Sequence, residues 1–258
     1  MFIAWSNVDA EHAPRSLRWC LSAGAPLPED VRLRAEARLG APVRQGYGLT
    51  EANLTAINAP PDEAVAGCCG KPVAGVEVLI ADEAGTALPR GAHGEVLVRG
   101  QNVMSGYFGD KLATAHVMRG GWLHTGDVGF LDEAGRLTIA DRSKDLILRG
   151  GASIYPSEVE DVLARHPAVR DVAVVGQEDG YYGEVVVAVV ALENDVTARE
   201  LDAWSRERLA PYKLPLRYAF VEALPRGPSG KMLKRRLRDQ IAAGELAMET
   251  LPRHRPAQ

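Results

Sequence analysis

The residue types best suited to chemistry fall in six short runs spread along a 258-residue chain. They are SAGAPLP (Ser22 to Pro28), GYGLTE (Gly46 to Glu51), GEVLVRG (Gly94 to Gly100) with a later Gly106-Tyr107, GWLHTGD (Gly121 to Asp127), DRSKDLILRGG (Asp141 to Gly151) followed by YPSEVE, and PRGPSGK (Pro225 to Lys231). Gly46 and Gly48 flank Tyr47, so backbone can approach a flat base closely there while the phenol stacks on it. Taken alone, the same residues make a tight turn with a core tyrosine. Glu51 offers the oxygen that a hard cation such as Mg2+ takes, although Thr50-Glu51 would equally open a helix. Asp127 by itself is a turn aspartate ahead of a strand. Arg142 and Lys144 by themselves are two solvated charges on a hairpin. Gly150-Gly151 either lets a thin ligand pass close to backbone or is simply a hairpin turn. Lys231 lies in a Gly/Pro/Ser-rich loop just before a basic helix, so it can move while the helix stays fixed. Its plainer reading is a first-turn charge in a run continuing through Lys234, Arg235 and Arg236, which with Arg238 form a solvated face.

The elements that must position these residues change character along the chain. Arg15 to Ala23 predicts a short strand, and Pro28 to Leu39 an amphipathic helix with Glu29 and Asp30 near its start. Val43 leads into a loop at Gly46 to Gly48. From Val73 to Asp141, short alternating runs punctuated by glycine predict a small barrel or antiparallel sheet. Beyond Arg142 the grammar becomes helix and strand. Asp145 to Arg149 predicts a strand, and Pro156 opens a helix that stops at Pro167. Two strands follow, then a helix capped by Thr197, a strand from Arg217 to Val221, and a basic helix from Lys231 to Ala243. The predicted domain boundary falls at Asp141 to Lys144.

Composition excludes several classes. A net charge of -4 and a pI near 5.9 leave no footprint for nucleic acid or an anionic membrane. The longest apolar run, Val185 to Leu192, is far too short to span a bilayer. Met1 to Asn7 has no basic stretch and does not read as a secretory signal. Cys20, Cys68 and Cys69 form neither a disulfide framework nor a metal spacing, so a reducing, cytoplasmic setting is expected. The histidines carry no metal spacing, and no Ser/His/Asp arrangement is present.

In order and spacing, the six runs resemble the adenylate-forming superfamily of acyl-CoA synthetases, peptide-synthetase adenylation domains and luciferases. The resemblance extends from Leu17 to Leu237. It implies a fold of α/β and α+β type. Residues 1–141 would be a truncated remnant of a large N-terminal domain, with a sheet edge over 1–65 and a small β-barrel over 66–141. Residues 142–245 would be a mobile C-terminal domain, and 246–258 a loose tail. It also implies an AMP-forming carboxylate–CoA ligase acting on a fatty or other hydrophobic acid, with ATP, Mg2+ and coenzyme A. Such an enzyme brings two anions together, a carboxylate and the α-phosphate of ATP, so it must neutralise charge and hold an in-line attack.

The resemblance assigns roles by position. Gly46, Tyr47 and Gly48 would hold the nucleoside, Thr50 the α-phosphate, and Glu51 Mg2+. Asp127 would accept hydrogen bonds from the ribose hydroxyls, and Arg142 would reach the nucleotide. Lys144, where many relatives carry aspartate, would be the hinge. Gly150 and Gly151 would line the coenzyme A tunnel, and Lys231 would bridge the carboxylate and α-phosphate in the first half-reaction. The family's glycine- and Ser/Thr-rich phosphate loop has no counterpart before Ser22. An exposed edge and apolar face around Leu17 to Leu39 are therefore expected, with a missing half in trans or a homo-oligomer as possible partners. The alternatives are an inactive fragment or interaction module and a peptide-synthetase adenylation domain. The short run beyond PRGPSGK and the wording LILRGGASIYPSEVE favour the CoA ligases.

Overall fold

The computed structural model describes residues 16–25, 27, 29–62, 65–228 and 230–252. One unit ends at Ala140 and a second begins at Asp141.

In the first unit, β1 (Cys20–Ser22) runs parallel to β2 (Val43–Leu49), and a parallel pair needs a crossover, here α1 (Glu29–Leu39). Val31, Ala35 and Leu39 recur every four residues on α1 and bury with Leu27 and Val43. The expected apolar face is thus largely covered, leaving Leu21 and Leu33 exposed. The predicted first strand shrinks to three residues, and Arg15 and Pro28 lie outside the described residues. β3 (Asn53–Ile57) and β4 (Lys71–Pro72) complete a four-stranded sheet in the order β1-β2-β3-β4.

The expected loop at Gly46 to Gly48 is instead the middle of β2, and Thr50-Glu51 is the turn of the β2–β3 hairpin rather than a helix start. The reason is local. A Cβ at Gly48 would lie 2.1 Å from the Asn53 carbonyl oxygen, so glycine lets the chain fold back on itself there.

The glycine-punctuated region becomes β5 (Val76–Ala81), β6 (Gly94–Gly100), α2 (Lys111–Val117), β7 (Met118–Arg119), β8 (Trp122–Leu131) and β9 (Leu137–Arg142). These strands form a five-stranded half-barrel in the order β5-β6-β8-β7, with β9 on β8. Ile80, Val96, Val98, Leu123 and Leu137 fill its core together with Tyr47, Ala52 and Ala56 from the hairpin.

The second unit opens with a 3-10 turn at Ser143–Asp145, so the predicted strand over 145–149 begins only at β10 (Ile147–Arg149). There follow β11 (Ala152–Ile154), α3 (Pro156–Ala164), β12 (Val169–Asp179), β13 (Gly183–Leu192), α4 (Ala198–Arg206), β14 (Arg217–Val221), α5 (Lys234–Ala242) and β15 (Met248–Thr250). β12 and β13 form a long antiparallel ladder from Val169↔Leu192 to Asp179↔Gly183.

Both faces of that ladder are buried, which explains its near-continuous valines. Val172, Val174, Val186 and Val190 face a core with Val159 of α3 and Leu201 of α4. Ala173, Val175, Val187 and Val189 face Leu237 and Ile241 of α5. Thr197 caps α4 in a reciprocal box with Glu200.

Two expectations at the C-terminal end are corrected. The basic helix starts at Lys234 rather than Lys231, because Gly230 takes a left-handed φ of 81° and ends the preceding turn. The run from residue 246, expected to be a loose tail, supplies β15, which pairs with β14, and Leu251, which is buried. β14 is an edge needing a partner, and Leu251 has the second unit's core to enter. Residues 253–258 lie outside the described residues.

Candidate functional site

In the first unit the structure brings Tyr47 and Asp127 together from β2 and β8. The Tyr47 hydroxyl donates to Asp127 Oδ2 at 2.5 Å, and the two residues are 9% and 4% exposed. Tyr47 therefore joins a hydrophobic core to a buried carboxylate. Asp127 is not a turn residue but sits within β8.

Glu95 of β6 fixes the strand around Asp127. Glu95 Oε1 accepts from Gly126 N–H at 3.1 Å, and Oε2 lies 2.8 Å from His124 Nδ1. Thr125 Oγ1 donates to the Val96 carbonyl at 2.7 Å and accepts from Asp127 N–H at 3.1 Å. The sequence signal for Glu95 was the GEVLVRG run, which carried no role when read alone.

Thr50 is exposed at the tip of the β2–β3 hairpin, and Glu51 beside it is half-buried. Tyr107, another residue without a role in the sequence reading, donates its hydroxyl to Glu51 Oε1 at 2.9 Å. That bond holds the Tyr107 hydroxyl proton and pushes its pKa above the ordinary phenol value. The segment after β6 also clips the hairpin turn: Met104 N–H donates to the Glu51 carbonyl at 2.7 Å, and Asn102 Nδ2 to that of Ala52.

Among the described residues, no cluster of three or more His, Cys, Asp or Glu side chains could hold a metal. A single accessible carboxylate suits Mg2+, which keeps waters and takes phosphate oxygens rather than a full protein cage. Glu51 fits that donor set.

The remaining expected residues lie in the second unit. Asp141 Oδ1 accepts from Arg142 N–H and Oδ2 from Ser157 N–H, each at 2.9 Å, so the carboxylate takes up one of the orphan amides that open α3. Arg142 is half-buried at the end of β9, and Lys144 is exposed in the 3-10 turn. Gly150 and Gly151, at φ 57° and 83°, are the two-residue turn between β10 and β11. Those angles at consecutive positions are what a tight hairpin turn requires.

Lys231 is exposed in a small turn that closes Gly227 N–H onto the Lys231 carbonyl at 2.9 Å. Arg226 braces this turn, donating to the Gly230 carbonyl at 2.9 Å and to Asp171 Oδ2 at 2.7 Å. The basic face expected after it is only partly solvated. Lys234 pairs with Glu160 at 2.8 Å and Arg238 with Asp145 at 2.9 Å. Burial pushes the Glu160 carboxyl upward while Lys234 opposes it.

The two turns belong to opposite ends of one ladder. Gly150 N–H is bonded to Tyr182 O, next to Gly183, and the Lys231 turn is anchored to Asp171, opposite Ala191. Ala191 lies eight residue steps along the strand from Gly183, which at roughly 3.3 Å each is about 26 Å.

Residues 1–108 match the family described as AMP-binding enzyme, and residues 158–231 match the AMP-binding enzyme C-terminal domain. The chain belongs to the adenylate-forming superfamily. A relative within this superfamily, 2-succinylbenzoate–CoA ligase of Bacillus mycoides (strain KBAB4), is 43% identical over 230 residues, which is 88% of this chain and 47% of the relative. The long-chain-fatty-acid–CoA ligase of Bacillus subtilis (strain 168) is 43% identical, over 87% of this chain and 41% of its own length. The o-succinylbenzoate CoA synthetase of Bacillus subtilis, solved with an acyl-adenylate intermediate, superposes with a TM-score of 0.79 at 40% identity, over 88% of this chain and 47% of that one. The chain thus spans about half the length of the curated relatives it matches. No helix among the described residues is long and apolar enough to cross a membrane.

Proposed function

We infer that this chain serves an AMP-forming carboxylate–CoA ligase, in which ATP and a carboxylic acid give an acyl adenylate and coenzyme A then takes the acyl group. The observation that carries the reading is the separation of the Lys231 turn from the Gly150-Gly151 turn along the β12–β13 ladder. One acyl carbonyl cannot be served by both turns in a single arrangement, because each must exclude water from it. Two half-reactions with different needs account for the pair. A carboxylate attacking a phosphate needs a cation, which Lys231 supplies. An incoming thiol needs a narrow passage along backbone, which the two glycines supply.

Tyr47, Asp127 and Arg142 carry the nucleoside in this reading, with Gly46 and Gly48 beside it, and Thr50 the α-phosphate. Glu51 holds Mg2+, whose charge when bound offsets that of the phosphates. Lys144 is the hinge on which the second unit presents first one turn and then the other. The relatives' names span an aromatic dicarboxylate and a long-chain fatty acid, so the acid here is carried as a hydrophobic carboxylate. The test is AMP release and thioester formation with ATP, coenzyme A and a panel of aromatic and aliphatic acids. Release of AMP dependent on both an apolar acid and coenzyme A is expected. ATP turnover indifferent to every acid would contradict the reading.

A further inference from the structure

Arg149 is a buried cation that the reaction just described does not use. It is 6% exposed at the end of β10. One guanidinium nitrogen donates to the main-chain carbonyls of Tyr212 at 2.8 Å and Leu214 at 3.0 Å. Its Cζ lies 4.7 Å from the centroid of the Tyr182 ring. Tyr182 in turn accepts, through its carbonyl, the Gly150 N–H at 2.8 Å. The turn bearing Tyr182 is itself fixed, because Asp179 Oδ1 accepts from the N–H groups of Tyr181 and Tyr182 at 3.0 and 3.1 Å. Arg149 therefore joins three segments at the base of the Gly150-Gly151 hairpin: β10, the 180–182 turn and the 212–214 segment.

Among the described residues, the space beside the two glycines at the tip of that hairpin is open. A methyl added at either glycine would meet no heavy atom within 4 Å among the described residues. Its position is set from below. Burying a guanidinium is costly, and an apolar side chain of similar volume commonly serves stability as well. What the planar cation adds is geometry: one terminal nitrogen reaches two carbonyls while the flat face lies over a ring, a stacked arrangement that the compact ammonium of lysine does not reproduce.

We propose that Arg149 is a positioning residue for the second half-reaction, holding the Gly150-Gly151 turn in the shape that receives the pantetheine arm of coenzyme A. The proposal rests on the ligase reading above. Its test uses Arg149→Lys in the full chain, with amide hydrogen exchange and calorimetric titration of coenzyme A and AMP. The Gly150 amide should exchange at least ~10-fold faster, and coenzyme A should bind about 10-fold more weakly, the loss of one charged hydrogen bond. Protection of Val174 and Val189 in the ladder and affinity for AMP should hold. If Arg149→Lys loses the ladder's protection as well, Tyr182→Leu, which removes the stacked ring and keeps the carbonyl, is judged by the same two numbers. Unchanged exchange at Gly150, or faster exchange with unchanged coenzyme A affinity, would overturn the proposal. An unsubstituted chain that binds AMP but no coenzyme A would instead sink the ligase reading and take this inference with it, and that failure is recognised without any variant.

Discussion

Tyr47 shows how one side chain can answer to both packing and chemistry. Its ring fills the half-barrel core while its hydroxyl satisfies a carboxylate that is almost wholly buried. Tyr47→Phe should preserve the packing but strip Asp127 of that donor. The expected cost is about 1–3 kcal/mol in urea unfolding, the worth of one hydrogen bond to a buried carboxylate. A change within error would mean that the bond contributes nothing. Cys69 offers a second reading at this scale, through pH. Burial pushes its thiol up to about 11, from an ordinary value of 9.0. The folded chain thus holds a proton there that the unfolded chain loses first, so the stabilisation is complete below pH 9 and lost as pH rises to about 11. The loss is on the order of 3 kcal/mol. Stability measured across that window should fall, and Cys69→Ala should flatten part of the slope. An unaltered slope in the variant would contradict the assignment.

Elements differ in how plainly the sequence spelled them. Thr197 as a helix cap, Pro156 at a first helical turn and the valines of β12 and β13 announced their elements, because caps and β-branched runs are local signals. The GYG run misled, since its glycines suggested a loop while the fold used Gly48 to let Asn53 approach. Gly48→Ala should therefore cost at least ~2 kcal/mol, as a Cβ there meets backbone that cannot step aside. Stability near that of the parent chain would show that the hairpin yields. The β15 edge strand was illegible because its pairing is to β14, some thirty residues away in sequence with a loop and a helix between them. Among candidate site residues, Lys231, Asp127, Glu51 and the glycine pair stood out by motif. Glu95, Tyr107 and Arg149 lay inside the same runs but drew no role, because they act by holding other groups and their partners lie far along the chain.

At the scale of the whole molecule, the chain divides into two compact units, the second beginning at Asp141. Lys144 is exposed in a short 3-10 turn, whereas the lysines and arginines flanking the ladder are tied by ion pairs such as Arg226–Asp171. Limited trypsin digestion should therefore cut at Lys144 first and release a stable C-terminal piece. First cuts inside β12 or β13 would contradict the division.

The central claim is that Lys231 serves adenylate formation alone, and the most direct measurement compares the two half-reactions in Lys231→Ala. Adenylate formation is followed by acid-dependent pyrophosphate release, and thioester formation from a supplied acyl adenylate and coenzyme A. Loss of a cation that offsets phosphate charge should slow the first by at least ~10²-fold and leave the second unchanged. Equal slowing of both would make Lys231 a structural residue and contradict the account.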